Sequence, residues 1–573
     1  MRLPAPPHPL DFFGLFVAAD AFAPPPQANE VDVPPPGVGA GAGTNAATPG
    51  VRVGSQGDQA MQGPQARATF AVTGSGVKVG VLSNSFNLHG GYRADVAADN
   101  LPANVQVLQE GPAGGSDEGR AMAQLVHQVA PDASLAFYSA FRSEADFAKG
   151  IKALAASGCK VIVDDVTYLD EPFFQAGGAV QAAIASVVAG GVSYFTSASN
   201  QGANFYEHGF TGVTAALPGL KGSYKTMNFG TAEAPRTVQS LTIAKGGNAT
   251  IDLQWDQPFA SISPGHGAAN SLALVLYDAT GKIVASALTN RTGGDPVQIL
   301  RFANTTAGTS FKLGILANGG ASTPGLLKYI AYGSGTSIND PNAGIGSGTI
   351  IGHEAMAGAN SVGAIAASDA PGLGGGGRIE GFSSVGPGLL LFDSRGNRLS
   401  TAISGNKVNF VAPDGVPTSV FNAFYGTSAA APDAAGIAAL MLQANQGLAP
   451  GQISAMLAAS AVTVSGPACG TGAGLIQAPS AVQQALAGKV RPGAAPGPGT
   501  GGTTGVIGHG SLLGALAAMR ADPTANADFF VQPIAGALAP DTQITTATAF
   551  AVGHALGDQV IPILADAPTH LLV

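Results

Sequence analysis

Short apolar runs alternate with longer amphipathic stretches from about residue 77 onward. Val77-Lys78-Val79-Gly80-Val81-Leu82 is the first apolar run, and it breaks off in Ser83-Asn84-Ser85. An amphipathic period over 118–129 predicts a helix, and 134–138 predicts the next strand. A helix over 144–157 leads to a strand at 160–163, and a helix over 178–189 leads to a strand at 192–195. Strands alternating with helices predict an α/β fold, a doubly wound parallel sheet with helices on both faces. Ligands of such sheets bind beyond the carboxyl ends of the strands. Polar residues at those ends are therefore the first candidates for chemistry.

The period changes after residue 209. Segments 238–243, 249–255, 272–277 and 311–316 alternate apolar and polar positions between Gly/Asn/Asp turns, the pattern of an antiparallel β-sandwich. The α/β pattern resumes near Thr349, so the sandwich is inserted in the first domain. The predicted organisation is a Pro/Gly-rich leader over 1–66, then the first part of an α/β domain over 67–209. The inserted sandwich follows over 210–346, and the second part of the α/β domain over 347–487. A linker over 488–504 precedes a C-terminal segment, 505–573, of mixed helical character and no assigned role.

The 573 residues suffice for a large domain plus an accessory one. Gly 82 and Pro 39 with only 11% charged residues mean many turns and tight packing. A formal net charge of -9 argues against nucleic acid as a partner, because phosphate binding needs clustered Lys/Arg. No uncharged apolar run is long enough for a membrane span. Cys159 and Cys469 lie far apart and read as two unrelated small residues. Near the N-terminus, the apolar stretch 12–19 ends in Ala19-Asp20-Ala21, a faint cleavage pattern. Only Arg2 precedes it and several prolines interrupt the approach, so a signal peptide and a Pro-rich leader both fit.

The chemistry concentrates at Gly426-Thr427-Ser428-Ala429-Ala430-Ala431-Pro432, followed by the small-residue run 434–440. A serine at the mouth of a Gly/Ala-rich helix meets unpaired N–H groups and a field that favours negative charge. Pro432 is expected in the first turn, where a missing N–H costs little. The stretch resembles the serine block of subtilisin-like proteases. Ser197-Ala198-Ser199-Asn200-Gln201-Gly202 resembles the segment that carries their oxyanion asparagine. Phe382-Ser383-Ser384-Val385-Gly386-Pro387 and Val411-Ala412-Pro413-Asp414-Gly415 resemble the loops before the nucleophile, and Gly472-Ala473-Gly474-Leu475-Ile476 the closing block. The chain is thus similar to the subtilisin and sedolisin clan over roughly 77–209 and 349–486. That resemblance implies acyl transfer on polypeptide substrates, with Ser428 as nucleophile and Asn200 as oxyanion donor. It also implies a secreted or cell-surface location, an inserted module resembling the jelly rolls of bacterial secreted proteases, and no cofactor.

The base departs from the subtilisin pattern. Where those proteases place a histidine, Ser116-Asp117-Glu118-Gly119-Arg120-Ala121-Met122 offers Glu118, a mark of the sedolisins. Their second acid, one turn later, is Met122 here, expected to pack on Glu118 and dry it, which raises a carboxylate's pKa. The subtilisin aspartate is replaced by Asn84, able to hold Glu118 by a hydrogen bond. A replacement acid stands at the end of Val161-Ile162-Val163-Asp164-Asp165, and Asp165 is expected to share a proton with Glu118. Plainer roles remain open: a turn asparagine at 200, a first-turn glutamate at 118, a solvated strand end at 165. His89, His127 and His208 match no catalytic motif, and neither a zinc nor a calcium motif appears. Two functions fit: a serine endopeptidase with a glutamate base, or a degenerate protease fold that binds protein or polysaccharide through its sandwich.

Overall fold

The computed structural model describes residues 53–488, except 321, 341, 387, 405–407 and 468, together with the strands Phe550–Leu556 and Gln559–Ala565. The first compact unit, up to Arg491, is built on a seven-stranded sheet. Its strand order is Gln106–Gln109, Ser134–Ser139, Lys78–Ser83, Val161–Asp164, Ser193–Ser197, Ala359–Ala366 and Phe410–Asp414. Every pairing is parallel, with Val81 beside both Phe137 and Val163.

Strand alternation divides the core. Val79, Val81, Val161 and Val163 pack on one face with residues of the helices Glu118–Val129 and Thr427–Ala444. Leu82, Ile162 and Tyr194 pack on the other with Phe147, Ile151 and Ile184, from helices Glu144–Ala156 and Ala179–Ala189. The helices that carry Glu118 and Ser428 therefore share a face. Burying each Val or Ile side chain is worth roughly 1.5–3 kcal/mol, so this two-sided burial fixes the register.

An antiparallel sandwich is inserted, as the alternating pattern predicted. One sheet runs Val297–Ala303, Asn248–Trp255, Leu326–Tyr332, Phe205–Gly209; the other contains Asn270–Asp278, Ser310–Gly320 and Gln239–Ile243. Its core holds Ile251, Leu253, Trp255, Leu274, Leu313 and Tyr329. The sandwich begins before residue 210: Phe205–Gly209 pairs with Leu326–Tyr332, with Tyr206 in the sandwich core. His208 lies in that strand, its ring centroid 6.1 Å from that of Tyr206.

Three other expectations need correction. The leader predicted to run to residue 66 overlaps the helices Gln56–Ala60 and Gly63–Phe70. Ala60, Met61 and Ala66 are buried in the main core, and Met61 C=O accepts from Ala478 N at 2.9 Å, so apolar docking outweighs the Pro/Gly composition. Pro432 is not in the first turn: the helix begins at Thr427, and the proline lies past the first turn, where it removes the usual i→i−4 donor to Ser428 C=O. In the second unit, Phe550–Leu556 pairs antiparallel with Gln559–Ala565 where helical character was expected. The rest of 1–66 and of 488–573 lies outside the described residues.

Candidate active site

Ser428 is the second residue of the Thr427–Ala444 helix and is 8% exposed. The chain enters that helix through Gly426 at φ 109, a left-handed conformation that disfavours side chains. Gly426 N donates to Asp414 Oδ2 at 2.8 Å, so the end of the Phe410–Asp414 strand holds the entrance to the serine. Burial pushes the Asp414 carboxyl up to about 8, against the lowering effect of the Gly426 N–H. The backbone N–H of Ser428 belongs to the first turn, whose donors have no intrahelical acceptor.

Asn200 follows the Ser193–Ser197 strand. Its Oδ1 accepts from Thr427 N and from Thr427 Oγ1, both at 2.9 Å. The carboxamide is thereby fixed against the residue before the serine, and a Cβ on Gly426 would lie 3.2 Å from its Nδ2. Among the described residues Asn200 Nδ2 has no acceptor. Ser199 has φ 67, a conformation uncommon for a non-glycine residue. The 382–387 block braces this turn: Gln201 N donates to Ser384 Oγ at 3.0 Å and Ser384 N to Ser199 O at 3.1 Å.

Glu118 opens its helix after Asp117 at φ 60. Asn84 Nδ2 donates to Glu118 Oε2 at 3.2 Å, and Asn84 Oδ1 accepts from Glu118 N at 3.2 Å. Asn84 thus grips both the side chain and the backbone of the glutamate. Asp117, buried, accepts from Ser85 Oγ, Leu88 N and His89 N at 3.0, 2.7 and 3.0 Å, and pairs with Arg120 at 3.3 Å. It ties the 85–89 loop over the head of the helix. Met122 is fully buried in the core one turn on.

The two strand-end acids separate. Asp165 is half-buried, and its Oδ2 accepts from Ser83 Oγ at 3.1 Å. Ser83 continues the parity of Val79 and Val81, the face of the Glu118 and Ser428 helices. Asp164 is fully buried and turned the other way. Its Oδ1 accepts from Thr196 Oγ1 at 2.9 Å and lies 3.2 Å from His353 Nε2. His353 Nδ1 is 2.7 Å from Glu171 Oε2. Burial disfavours the imidazolium, but Glu171 and Asp164 outweigh it and raise His353 well above its ordinary value. Glu354, also buried, is pushed up to about 8.

The structure brings Asn200 onto Thr427, the residue before Ser428, Asn84 onto Glu118, and Asp165 onto Ser83. Sequence reasoning missed Asp117, His353 and Glu171, and read Asp414 only as part of a loop block. A lone histidine or acid far from its partners along the chain carries no local pattern. His89 Nε2 is 2.7 Å from Gly115 O, and His127 lies 3.9 Å from Asp99. Cys159 and Cys469 are free thiols.

No curated protein matches the chain. Among solved structures it is similar to the CspB protease of Clostridium perfringens, at 13% identity and a TM-score of 0.47, over 76% of this chain and 100% of that one. It is also similar to MycP1 of Mycobacterium smegmatis, at 16% identity and a TM-score of 0.33, over 84% of this chain and 97% of that one. The model of the Subtilase family, a family of serine peptidases, matches residues 82–475, the span from the end of the first strand to the closing glycine block. With that match over most of its length and its parallel sheet ending in the serine block, the chain belongs to the subtilase family.

Proposed function

We propose that the protein is a secreted or cell-surface serine endopeptidase in which Glu118 replaces histidine as the base. The observation that carries this reading is the Asn200–Thr427 clamp. It spends the amide oxygen on Thr427 and leaves Nδ2 to donate beside Ser428. A turn asparagine would have no reason to be locked to the nucleophile's neighbour.

The steps follow from these groups. Ser428 Oγ attacks the scissile carbonyl while Glu118 accepts its proton. The oxyanion receives hydrogen bonds from Asn200 Nδ2 and Ser428 N, fixed donors that need no reorganisation. The tetrahedral intermediate collapses, the amine leaves with the proton from Glu118, and water repeats the sequence on the acyl-enzyme. Asn84 holds the carboxylate. It adds no negative charge, and an anionic base needs none, whereas a histidine base would lose the stabiliser of its imidazolium. Asp165, held by Ser83, is the second acid of the pair and tunes the base. Activity falls on the acid side as the carboxylate is protonated and is greatest from mildly acidic to neutral pH.

The decisive experiment is labelling with a serine-directed fluorophosphonate, combined with hydrolysis of an unfolded polypeptide. Labelling and cleavage are both expected, and both vanish in Ser428→Ala. Absence of labelling from pH 5 to 8 (on the order of the carboxylate and imidazole range) rejects the enzyme. An acidic limb of the pH–rate profile unchanged in Asp165→Asn removes the role given to that residue.

A further inference from the structure

The buried histidine next to the strand-end acids has no place in the steps above. We propose that His353 is a positioning residue, an imidazolium clamped between Asp164 and Glu171 that fixes the strand end and the local field from which Asp165 serves the base. The inference rests on the proposed function only for the role of Asp165; the clamp itself is a matter of geometry.

His353 is fully buried, with both ring nitrogens against carboxylates, Nε2 on Asp164 at 3.2 Å and Nδ1 on Glu171 at 2.7 Å. Its backbone N–H also donates to Glu171 Oε2 at 3.0 Å. A carboxylate on each ring nitrogen is best satisfied by an imidazolium, which donates from both. Its ring packs perpendicular to that of Phe147, centroids 5.3 Å apart, which excludes water from that side. Glu354 from its own turn and Glu144 from the head of helix Glu144–Ala156 also act on it, while the hydroxyl of Tyr194 faces Asp164 and Glu171, and that of Tyr332 faces Glu354 and Glu171. Glu354 and Glu144 are pushed up by burial to about 8 and about 7, so near neutral pH the imidazolium answers chiefly to Asp164 and Glu171.

Asp164 and Asp165 are consecutive and face opposite sides of the sheet. Without a cation behind it, the Asp164 anion would disfavour a second negative charge on its neighbour, and Asp165 would bind its proton more tightly. The clamp extends into the sandwich. Gln254 Nε2 donates to Glu171 O at 2.9 Å and to Leu169 O at 3.3 Å, and Gln254 Oε1 accepts from Phe173 N at 2.8 Å. The inserted sheet therefore holds the segment that supplies Glu171. In this arrangement the sandwich buttresses the strand that ends at Asp164, next to Asp165.

The test uses the full chain, with carboxyl-13C aspartate and imidazole-15N histidine, in the wild type, His353→Gln and Glu171→Gln. Asp165 is assigned with Asp165→Asn. In His353→Gln the titration midpoint of Asp165 is expected to rise by about one pH unit, a tenfold change in proton affinity. In Glu171→Gln, which removes an anion instead, it should move down or stay. A merely structural lesion would shift both the same way. The wild type should show an imidazole that stays doubly protonated well above the pH at which a free histidine titrates, with a midpoint that falls in Glu171→Gln. Should His353→Gln not fold, that resonance and the Glu171→Gln shift decide the matter. A neutral His353 near pH 7 overturns the proposal, as does an Asp165 midpoint that fails to rise in His353→Gln or that rises in Glu171→Gln. Opposed shifts in a protein inert toward peptides would sustain the clamp and reject only the peptidase reading.

Discussion

Gly436 and Val129 bring the two site-bearing helices together: a Cβ on Gly436 would stand 2.7 Å from Val129 Cβ. Val129 is the last residue of the helix that begins with Glu118, and Gly436 lies two turns beyond Ser428. Gly436→Ala gains roughly 0.5–1 kcal/mol of helix preference. Overlap in so tight a core costs typically about 1–3 kcal/mol. The expected net effect is a lower unfolding midpoint and a lower kcat as the helices part. Gly451, in the Pro450–Ser460 helix, has nothing within 4 Å of its Cβ position. Gly451→Ala should be neutral or stabilising by about 0.4–1 kcal/mol. Equal thermal melts for the two variants would refute the packing account.

Asn200→Ala removes the side-chain donor while the Ser428 N–H remains. The expected loss is about 10²–10³ in kcat, roughly 2.7–4 kcal/mol of transition-state stabilisation, with KM little changed. Thr427→Val takes away only one of the two bonds that orient Asn200 and should cost far less. Steady-state kinetics on one peptide substrate separates them. A loss in Asn200→Ala that falls wholly on KM would place the residue in substrate binding instead.

The architecture was legible because its signals are local and repeated. The apolar period of 77–82 and 160–163, and the alternation of 238–243 and 249–255, each predicted a strand found near those bounds. Runs of small residues single out Ser428 and Asn200 as candidates, and Glu118 is a candidate only because it stands where the resembling proteases carry a histidine. The clamp on Asp164 was not. His353 and Glu171 lie 189 and 7 positions from Asp164, and only the folded sheet brings the three together. The short helices at 56–70 were hidden for a different reason: their apolar positions are few, and docking on the core stabilises them more than propensity does.

Gln254 tests whether the sandwich supports the catalytic sheet. Its carboxamide is fully buried and satisfies Phe173 N, Leu169 O and Glu171 O. Gln254→Ala leaves buried backbone groups without partners, each costing about 1–3 kcal/mol. The expected result is a stability loss of at least about 2 kcal/mol in denaturant unfolding, together with reduced kcat at unchanged substrate specificity. Full activity in a destabilised variant would confine Gln254 to a structural role.

Asp414 gives a pH dependence with a definite sign. Its carboxyl titrates near about 8 in the folded protein because burial disfavours the anion, while in the unfolded chain it falls to about 3.9. The folded state therefore holds the proton more tightly than the unfolded state. This stabilising contribution is complete below the unfolded value and is lost as pH rises through the folded one. Asp414→Asn keeps an oxygen for Gly426 N, now 2.8 Å from Oδ2, and removes the titration. Its melting temperature should exceed that of the wild type by a growing margin from pH 5 to about 8 and by a constant margin above. A margin that shrinks as pH rises would mean that the folded protein favours the carboxylate, and that Gly426 is held by an anion.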